Sequence, residues 1–474
     1  MIQGLVKDTF IYGATDFICK FINFAIFPIL AYVLTVAEFG IYTLLTVQSW
    51  FMIMLINCGM YRSLERFYLD KEATQVEKDK VVCSGLVGLF LLSVIVILPS
   101  VILTFAYREA FQAETHIQWH LFVLAILTAF PTALLHFTCH VFRLDFSPWR
   151  FCLFHASQNL LALGIGFYLV FVLKWGVDGL LWGAFASFVL VTPLAIALLF
   201  QQHAWRIDWK LVLQLVAFGC PFMFTDIARW IYGLMDRWLL DGMATVVEVG
   251  LFSMAFKLST VMIFLMNAFG LAWTPYALKA HNEDPNHKEL YSRCFTWWFA
   301  LLTFISLCLN LFGKECLMLL TPPAYWPSAT LLPFITTGLS LFGTTVVTGM
   351  GFFITKKTFH IALSAWLGAG INCVLNVCLI PHYGAQGSAF ATLITYGMLA
   401  SYYLGVSQKL YPVPLEQKKL WLCLSVLLLG AVLPFLGLHI SIKVIFLGLV
   451  LALFSKSGII DLSLLKFPKK AVAQ

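Results

Sequence analysis

Apolar stretches of about 20 or more residues recur along the whole chain and alternate with short connections that hold most of its charged residues. A helix of about 20 residues is long enough to cross the roughly 30 Å hydrocarbon core of a membrane. The pattern predicts fourteen transmembrane helices, at approximately residues 10–34, 40–61, 81–106, 119–141, 151–173, 176–200, 211–235, 249–275, 294–313, 327–354, 358–380, 384–407, 420–438 and 440–455.

The composition agrees with an all-α, polytopic membrane protein. Of the 474 residues, 61% are hydrophobic and only 11% are charged, with a mean hydropathy of +0.89. A soluble globular protein needs far more charge on its surface. The connections are short, so little of the chain is left for a separate water-soluble domain. No cleavable signal peptide is expected, because the first apolar stretch is too long and is interrupted by Asp16 and Lys20.

Basic residues are divided unequally between the two sides of the predicted bundle. Most of the 30 Lys and Arg residues lie in the termini or in the connections on the same side as the termini. Cytoplasmic loops are enriched in Lys and Arg, so both termini are predicted to face the cytoplasm, which requires an even number of helices. This asymmetry explains the net charge of +7 and gives no reason to expect nucleic acid as a partner. The basic residues of the opposite connections are Arg108, Lys174, Arg237, Lys314 and Lys443.

Short matching segments indicate an internal repeat. Residues 38–42 (EFGIY) resemble residues 248–252 (EVGLF) at an offset of 210, and Asp16 and Asp226 are separated by the same interval. Six helices per copy is an even number, so both copies would enter the membrane in the same direction, as in parallel transporter repeats. A third match joins residues 176–179 and 384–387, each a Gly-x-x-Gly segment, which we interpret as tight turns with no direct functional part.

The repeat predicts the domain organisation. Residues 1–205 would form an N-terminal six-helix lobe, residues 206–410 a pseudo-symmetric second lobe, and residues 411–474 two additional helices with a cytoplasmic tail. The lobes would face a shared central space and provide alternating access to it.

Five charged residues lie well away from the ends of predicted helices: Lys20, Arg229 and Lys257 are basic, and Asp16 and Asp226 are acidic. A charge at bilayer depth is costly unless it is paired or lines a hydrated cavity. Asp16 and Lys20, and Asp226 and Arg229, have helical spacing and would form either simple intrahelical ion pairs or one wall of a cavity. Lys257 has no acid at helical spacing. Three cations against two anions favour a substrate that bears phosphate.

Other polar groups allow more than one interpretation. Arg62, Glu65 and Arg66 follow the second predicted helix and would either anchor its cytoplasmic end or provide a first contact for a lipid phosphate. His136 and His140 are four residues apart, but no third ligand accompanies them, so a metal site is not expected. No motif for nucleotide binding or nucleophilic catalysis is present. We therefore expect no catalytic residue and no cofactor.

Several motifs together resemble a known family. They are residues 5–13 (LVKDTFIYG), 27–31 (FPILA), 38–42 (EFGIY), 66–68 (RFY) and 383–389 (YGAQGSA). This set is similar to the Wzx-type flippases of O-antigen and polysaccharide repeat units, in the multidrug/oligosaccharidyl-lipid/polysaccharide exporter superfamily. The resemblance implies a multi-pass protein of the bacterial inner membrane. It would move undecaprenyl-diphosphate-linked oligosaccharide from the cytoplasmic to the periplasmic leaflet.

The resemblance also implies which residues bind substrate. Cations of the first, second and eighth helices bind the diphosphate in related flippases, and by position these are Lys20, Arg62 or Arg66, and Lys257 here; the repeat adds Arg229. Lysines in place of arginines would give a point-charge contact and not a bidentate one. Expected partners are the lipid-linked oligosaccharide, membrane lipids, and the polysaccharide polymerase and chain-length machinery.

The leading hypothesis is therefore a flippase, in which Asp16 and Asp226 hold the cations when the site is empty. These acids could also carry protons, and either protons or the membrane potential would drive the cycle. A cation-coupled, MATE-like multidrug exporter shares the superfamily fold and stays open as an alternative. A glycan polymerase or ligase would need a larger extracytoplasmic segment than any connection offers. A non-transporting scaffold is the remaining alternative.

Overall fold

The structure is a computed structural model that describes residues 13, 15, 17–70, 74–109 and 117–459. Within these ranges the chain is almost entirely helical and contains no β-strand. The predicted all-α membrane fold is confirmed for this part of the chain.

The described residues of the N-terminal half are mainly helical. A π-helical turn, Tyr168–Val172, extends the sixth helix. The helices are α1 (Phe17–Val33), α2 (Val36–Asn57), α3 (Met60–Tyr68), α4 (Gln75–Ala106), α5 (Trp119–Leu144), α6 (Pro148–Phe167), α7 (Gly176–Leu199), α8 (Trp209–Leu234) and α9 (Asp236–Met243).

The C-terminal half continues in the same way. A 3₁₀ helix, Pro323–Thr330, precedes the twelfth helix, and a second one, Leu433–Leu436, ends the sixteenth. The helices are α10 (Val246–Glu283), α11 (His287–Leu320), α12 (Leu332–Gly343), α13 (Thr345–Thr348), α14 (Met350–Ile354), α15 (Phe359–Leu410), α16 (Gln417–Val432) and α17 (Ile440–Lys456).

Among the described residues, eleven helices are long and apolar enough to cross a membrane. The longest, α15, contains Gly384 in a non-helical conformation, with φ 54° and ψ −134°, and so includes two of the predicted membrane helices. The shorter helices α1 and α17 coincide with the first and last predicted ones. The total of fourteen and the orientation in the membrane stay predictions.

Several predicted boundaries differ from the structure, and two of the differences have a clear local cause. The second predicted helix extends to residue 61, but α2 ends at Asn57 because Cys58 and Gly59 both have left-handed backbone conformations. The predicted helix at 327–354 begins only at Leu332, because the proline-rich segment before it forms the 3₁₀ helix.

Local sequence explains where two membrane helices begin. Thr35 caps α2 and Thr74 caps α4, and in each case the threonine hydroxyl accepts the N–H of a glutamate three residues later. Each glutamate carboxylate in turn accepts the N–H of the capping threonine, which completes a capping box.

The chain forms two compact units, residues 1–253 and 254–474. In the first unit, Ile56, Met60 and Leu64 of α2 and α3 belong to the same buried cluster as Phe137 of α5 and Leu215 of α8. In the second unit, α11, α16 and α17 share a buried cluster. In the first unit α8 packs against α3, α4 and α2. The lobe boundary at 205/206 stays a prediction.

Candidate functional site

Three residues that sequence reasoning selected lie together in the first unit. Arg62 Nη2 is 3.6 Å from Asp226 Oδ1, and Arg229 Nη1 is 3.9 Å from the same oxygen. Arg62 is on α3 and the other two residues are on α8, so the arrangement joins two helices. We call Arg62, Asp226, Arg229 and Phe222 the arginine cluster.

The arginine cluster is open to its surroundings, and the charges of its two arginines and one aspartate sum to +1. The side chains of Arg62 and Arg229 are 41% and 47% exposed, and that of Asp226 is 28% exposed. The Arg62 guanidinium also lies over the Phe222 ring, 4.7 Å from its centroid. Both charged pairs are longer than a hydrogen bond, so most guanidinium N–H groups are available to another acceptor.

The backbone places Arg62 opposite Asp226. Cys58 and Gly59 end α2, and α3 then starts in a new direction. Gly59 approaches Gly219 of α8 so closely that a Cβ on Gly59 would lie 2.1 Å from the Gly219 carbonyl oxygen. The Ser63 hydroxyl donates to the Leu215 carbonyl at 2.7 Å, which fixes the register of α3 against α8.

A second polar pair lies on the same short helix. His140 Nε2 of α5 is 3.2 Å from Glu65 Oε1, and the His140 ring is near that of Tyr61. The neighbouring His140 ring, aided by Arg143 and Arg62, holds the pKa of the Glu65 carboxyl below its ordinary value despite partial burial.

The remaining N-terminal candidates lie elsewhere. Arg66 pairs with Asp70 at 3.4 Å, and both side chains are more than half exposed. Lys20 is exposed on α1, and Asp16, its predicted partner, lies outside the described residues. Near Lys20, the Asn23 amide donates to Asn159 Oδ1 at 3.0 Å, which joins α1 to α6.

Lys257 belongs to the second unit. It lies on α10 and is half-buried. Within the described part of that unit it makes no salt bridge.

Sequence reasoning missed two ion pairs, one buried on both sides and one buried only on the lysine side. Arg237 Nη1 donates to Asp236 Oδ1 at 2.6 Å and to the Gly233 carbonyl at 2.7 Å, and both charged side chains are almost fully buried. Lys443 Nζ donates to Glu315 Oε1 at 2.5 Å, with Lys443 buried. The sequence analysis placed Arg237 and Lys443 in the connections opposite the termini and predicted no partner for either residue. The only signal for the first pair was the adjacent acid.

Another buried network joins four segments of the first unit. His203 Nδ1 is 2.9 Å from Asp79 Oδ1, and Nε2 is 3.1 Å from Asp145 Oδ2. The Tyr68 hydroxyl also donates to Asp145. Burial opposes a charge on His203, but its bonds to Asp145 and Asp79 prevail and raise the pKa of the imidazole. This network ties the end of α3 and the start of α4 to the end of α5 and the turn after α7.

Comparison with known proteins places the chain in context. The sequence model of a family described as "Polysaccharide biosynthesis protein" matches residues 5–281. The fold is similar to that of the lipid II flippase MurJ in an inward closed conformation, with a TM-score of 0.73 and 17% identity over 95% of this chain and 99% of that one. No curated protein matches the chain in sequence.

Multidrug transporters have the same fold. An inward-facing MATE family transporter of the MOP superfamily gives a TM-score of 0.65 at 14% identity, covering 84% of this chain and 94% of that one. A Vibrio cholerae MATE transporter gives 0.59 at 12% identity, covering 86% and 96%. At such identities the likeness establishes the fold and leaves the substrate open.

Proposed function

Because this chain belongs to the polysaccharide biosynthesis protein family, we propose that it is a flippase for a polyprenyl-diphosphate-linked oligosaccharide. It carries an O-antigen or other polysaccharide repeat unit from the cytoplasmic to the periplasmic leaflet of a bacterial inner membrane. The fold, shared with MurJ and MATE transporters, is that of a transporter. Transport proceeds by alternating access between two lobes, 1–205 and 206–410.

The observation that carries the proposal is that Arg62 and Arg229 share the single carboxylate of Asp226. Two guanidiniums on different helices, each within 4 Å of one carboxylate oxygen, match the several acceptor oxygens of a diphosphate. Asp226 holds the two cations in place when no substrate is bound. This role explains why an acid is retained in an anion-binding site.

The other candidate cations also have proposed roles in binding the substrate. Lys20 and Lys257 add positive charge along the path of the diphosphate, and Arg66 receives the headgroup at the cytoplasmic surface. Asp16 holds Lys20 as Asp226 holds the arginines. Substrate and membrane lipids are the direct partners, and the polymerase and chain-length machinery receive the product.

Arg62 and Arg66 provide a matched test, because both lie on α3 and only Arg62 contacts Asp226. We expect Arg62→Ala and Arg229→Ala to reduce surface glycan at least about tenfold, as for loss of a charge-assisted contact. Arg66→Ala should cause a smaller loss. Leaflet-resolved transport of a labelled lipid-linked sugar in vesicles measures the same step directly.

Membrane levels of each variant must equal those of the wild type. Normal glycan and normal vesicle transport in the Arg62→Ala, Arg229→Ala double variant would contradict the proposal. A MATE-like exporter is the rival, favoured by the shared fold. It predicts drug efflux from the same vesicles and no movement of the lipid-linked sugar.

A further inference from the structure

A cavity lies in the C-terminal unit, at the end of α11. It has a volume of about 730 Å³ and is bounded by the 3₁₀ helix Pro323–Thr330 and by the turn between α16 and α17. This volume is within the range of small-molecule binding sites. The predicted orientation places this end of the helices outside the cytoplasm.

Buried polar atoms in the wall of the cavity have no partner. Asn310 is 5% exposed, and its Nδ2 has no hydrogen-bond acceptor among the residues that the structure describes. Its Oδ1 accepts the Thr336 hydroxyl at 2.6 Å, which directs the amide N–H groups away from that contact. Glu315 Oε2 is likewise buried without a described donor. Both residues line the cavity, and a ligand that reached these two covered atoms would supply the hydrogen bonds that they lack.

The charges of the cavity largely cancel. Lys443 is buried and its ammonium is bound to Glu315 Oε1 at 2.5 Å. Lys314 is exposed at the rim. A buried cation that is already neutralised does not call for an anionic ligand. The unfilled groups are one amide donor and one carboxylate acceptor, which together suit hydroxyl groups, since a hydroxyl both donates and accepts.

The rest of the wall is rigid and partly aromatic. Trp326 lines the cavity, and its indole N–H donates to the Thr321 carbonyl at 3.2 Å, which holds the ring. Pro323 and Pro327 restrict the backbone of the same segment. The apolar face of this ring and the fixed polar groups beside it can orient a ligand. Little side-chain conformational entropy is lost on binding, because these groups are already held in place.

We propose that this cavity binds a sugar ring of the transported glycan through Asn310, Glu315 and Trp326. The inference rests on the proposed function and adds a separate saccharide subsite to it, remote in sequence from the arginine cluster. Ring hydroxyls fill the amide and carboxylate, and the C–H face of the sugar packs on the indole. The subsite holds the glycan on the outer side of the membrane.

The test is binding of oligosaccharides released by mild acid from the surface polysaccharide of the source strain, measured on the purified full-length protein by native mass spectrometry and calorimetry. We expect Asn310→Leu and Trp326→Ala each to weaken binding about tenfold, the effect of one lost hydrogen bond or packing contact. Trp421→Ala is the matched control, because Trp421 is an exposed tryptophan of the same unit that does not line the cavity.

Thermal unfolding of each variant separates loss of binding from loss of folding. Trp326→Ala changes a surface segment, so it remains informative if the buried Asn310→Leu does not fold. We expect the Arg62→Ala variant to bind the free oligosaccharide with wild-type affinity. This result would distinguish the saccharide subsite from the diphosphate site. Absence of binding by the wild type, or unchanged affinity in Trp326→Ala, would overturn the inference even if the flippase assignment holds.

Discussion

Gly40 of α2 and Gly250 of α10 contact each other through their backbones. A Cβ on Gly40 would lie 2.3 Å from the Val246 carbonyl oxygen, and one on Gly250 would lie 2.1 Å from the Val36 carbonyl oxygen. Each glycine thus contacts the carbonyl oxygen of the residue that lies four positions before the other glycine. The contact is reciprocal, as expected for two equivalent segments related by a local two-fold axis.

This crossing has no space for a side chain. We expect Gly40→Ala and Gly250→Ala each to destabilise the protein by about 1–3 kcal/mol, the usual cost of overpacking, and to similar extents because the contact is reciprocal. Thermal unfolding in detergent measures the loss. Gly233→Ala is the control, since a Cβ there meets nothing within 4 Å. Equal melting temperatures for all three variants would contradict the close approach.

The buried pair Asp236–Arg237 is expected to be sensitive to loss of one partner. Arg237→Ala leaves an uncompensated carboxylate and should cost about 3–5 kcal/mol. Lys279→Ala breaks a pair whose side chains are 70% and 66% exposed, so it should cost at most about 1 kcal/mol. Size-exclusion profiles after heating compare the two. A stable Arg237→Ala variant would indicate that the pair is solvated.

The His203 network predicts a dependence of stability on pH. The pKa of His203 is raised in the folded protein, so its contribution is complete below the unfolded value of about 6.5 and is lost as pH rises through the folded value. As the pH rises, the melting temperature of the wild type should therefore fall more than that of the His203→Gln variant.

Melting curves from pH 6 to pH 9 check this prediction. His382→Gln replaces an exposed histidine and should keep the wild-type profile. Parallel profiles for wild type and His203→Gln would show that the imidazole gains no proton affinity from Asp79 and Asp145.

Charge reversal at Lys257 separates the flippase from the drug exporter. In the proposed flippase, Lys257→Glu places a like charge beside the diphosphate, which costs several kcal/mol and should reduce surface glycan more than about tenfold. An exporter that relies on acids would retain efflux. Glycan display and dye efflux in one strain measure both outcomes, and Lys257→Arg should preserve glycan display.

Local spacing was enough to predict some of these features. The spacing of Asp226 and Arg229 predicts their pairing, and the Gly-x-x-Gly segment at Gly384 predicts the break in α15. The helices follow from hydropathy because each is a continuous apolar segment.

Other features depend on tertiary structure. Arg62 reaches Asp226 only because Cys58 and Gly59 redirect α3 towards α8. The hydrophobic pattern of the sequence does not reveal that these two residues have left-handed backbone conformations. Asn310 and Trp326 are brought into one cavity by packing, not by sequence proximity. Hydropathy treats each charge as exposed, so it cannot recognise Arg237 as buried and paired.

One carboxylate between two guanidiniums also has an electrical consequence. The empty arginine cluster is positive, and a bound diphosphate makes it negative. In the proposed cycle a membrane voltage that is negative inside would drive the loaded form outward and draw the empty form back. Both half-cycles would then run with the field, without a separate coupling ion.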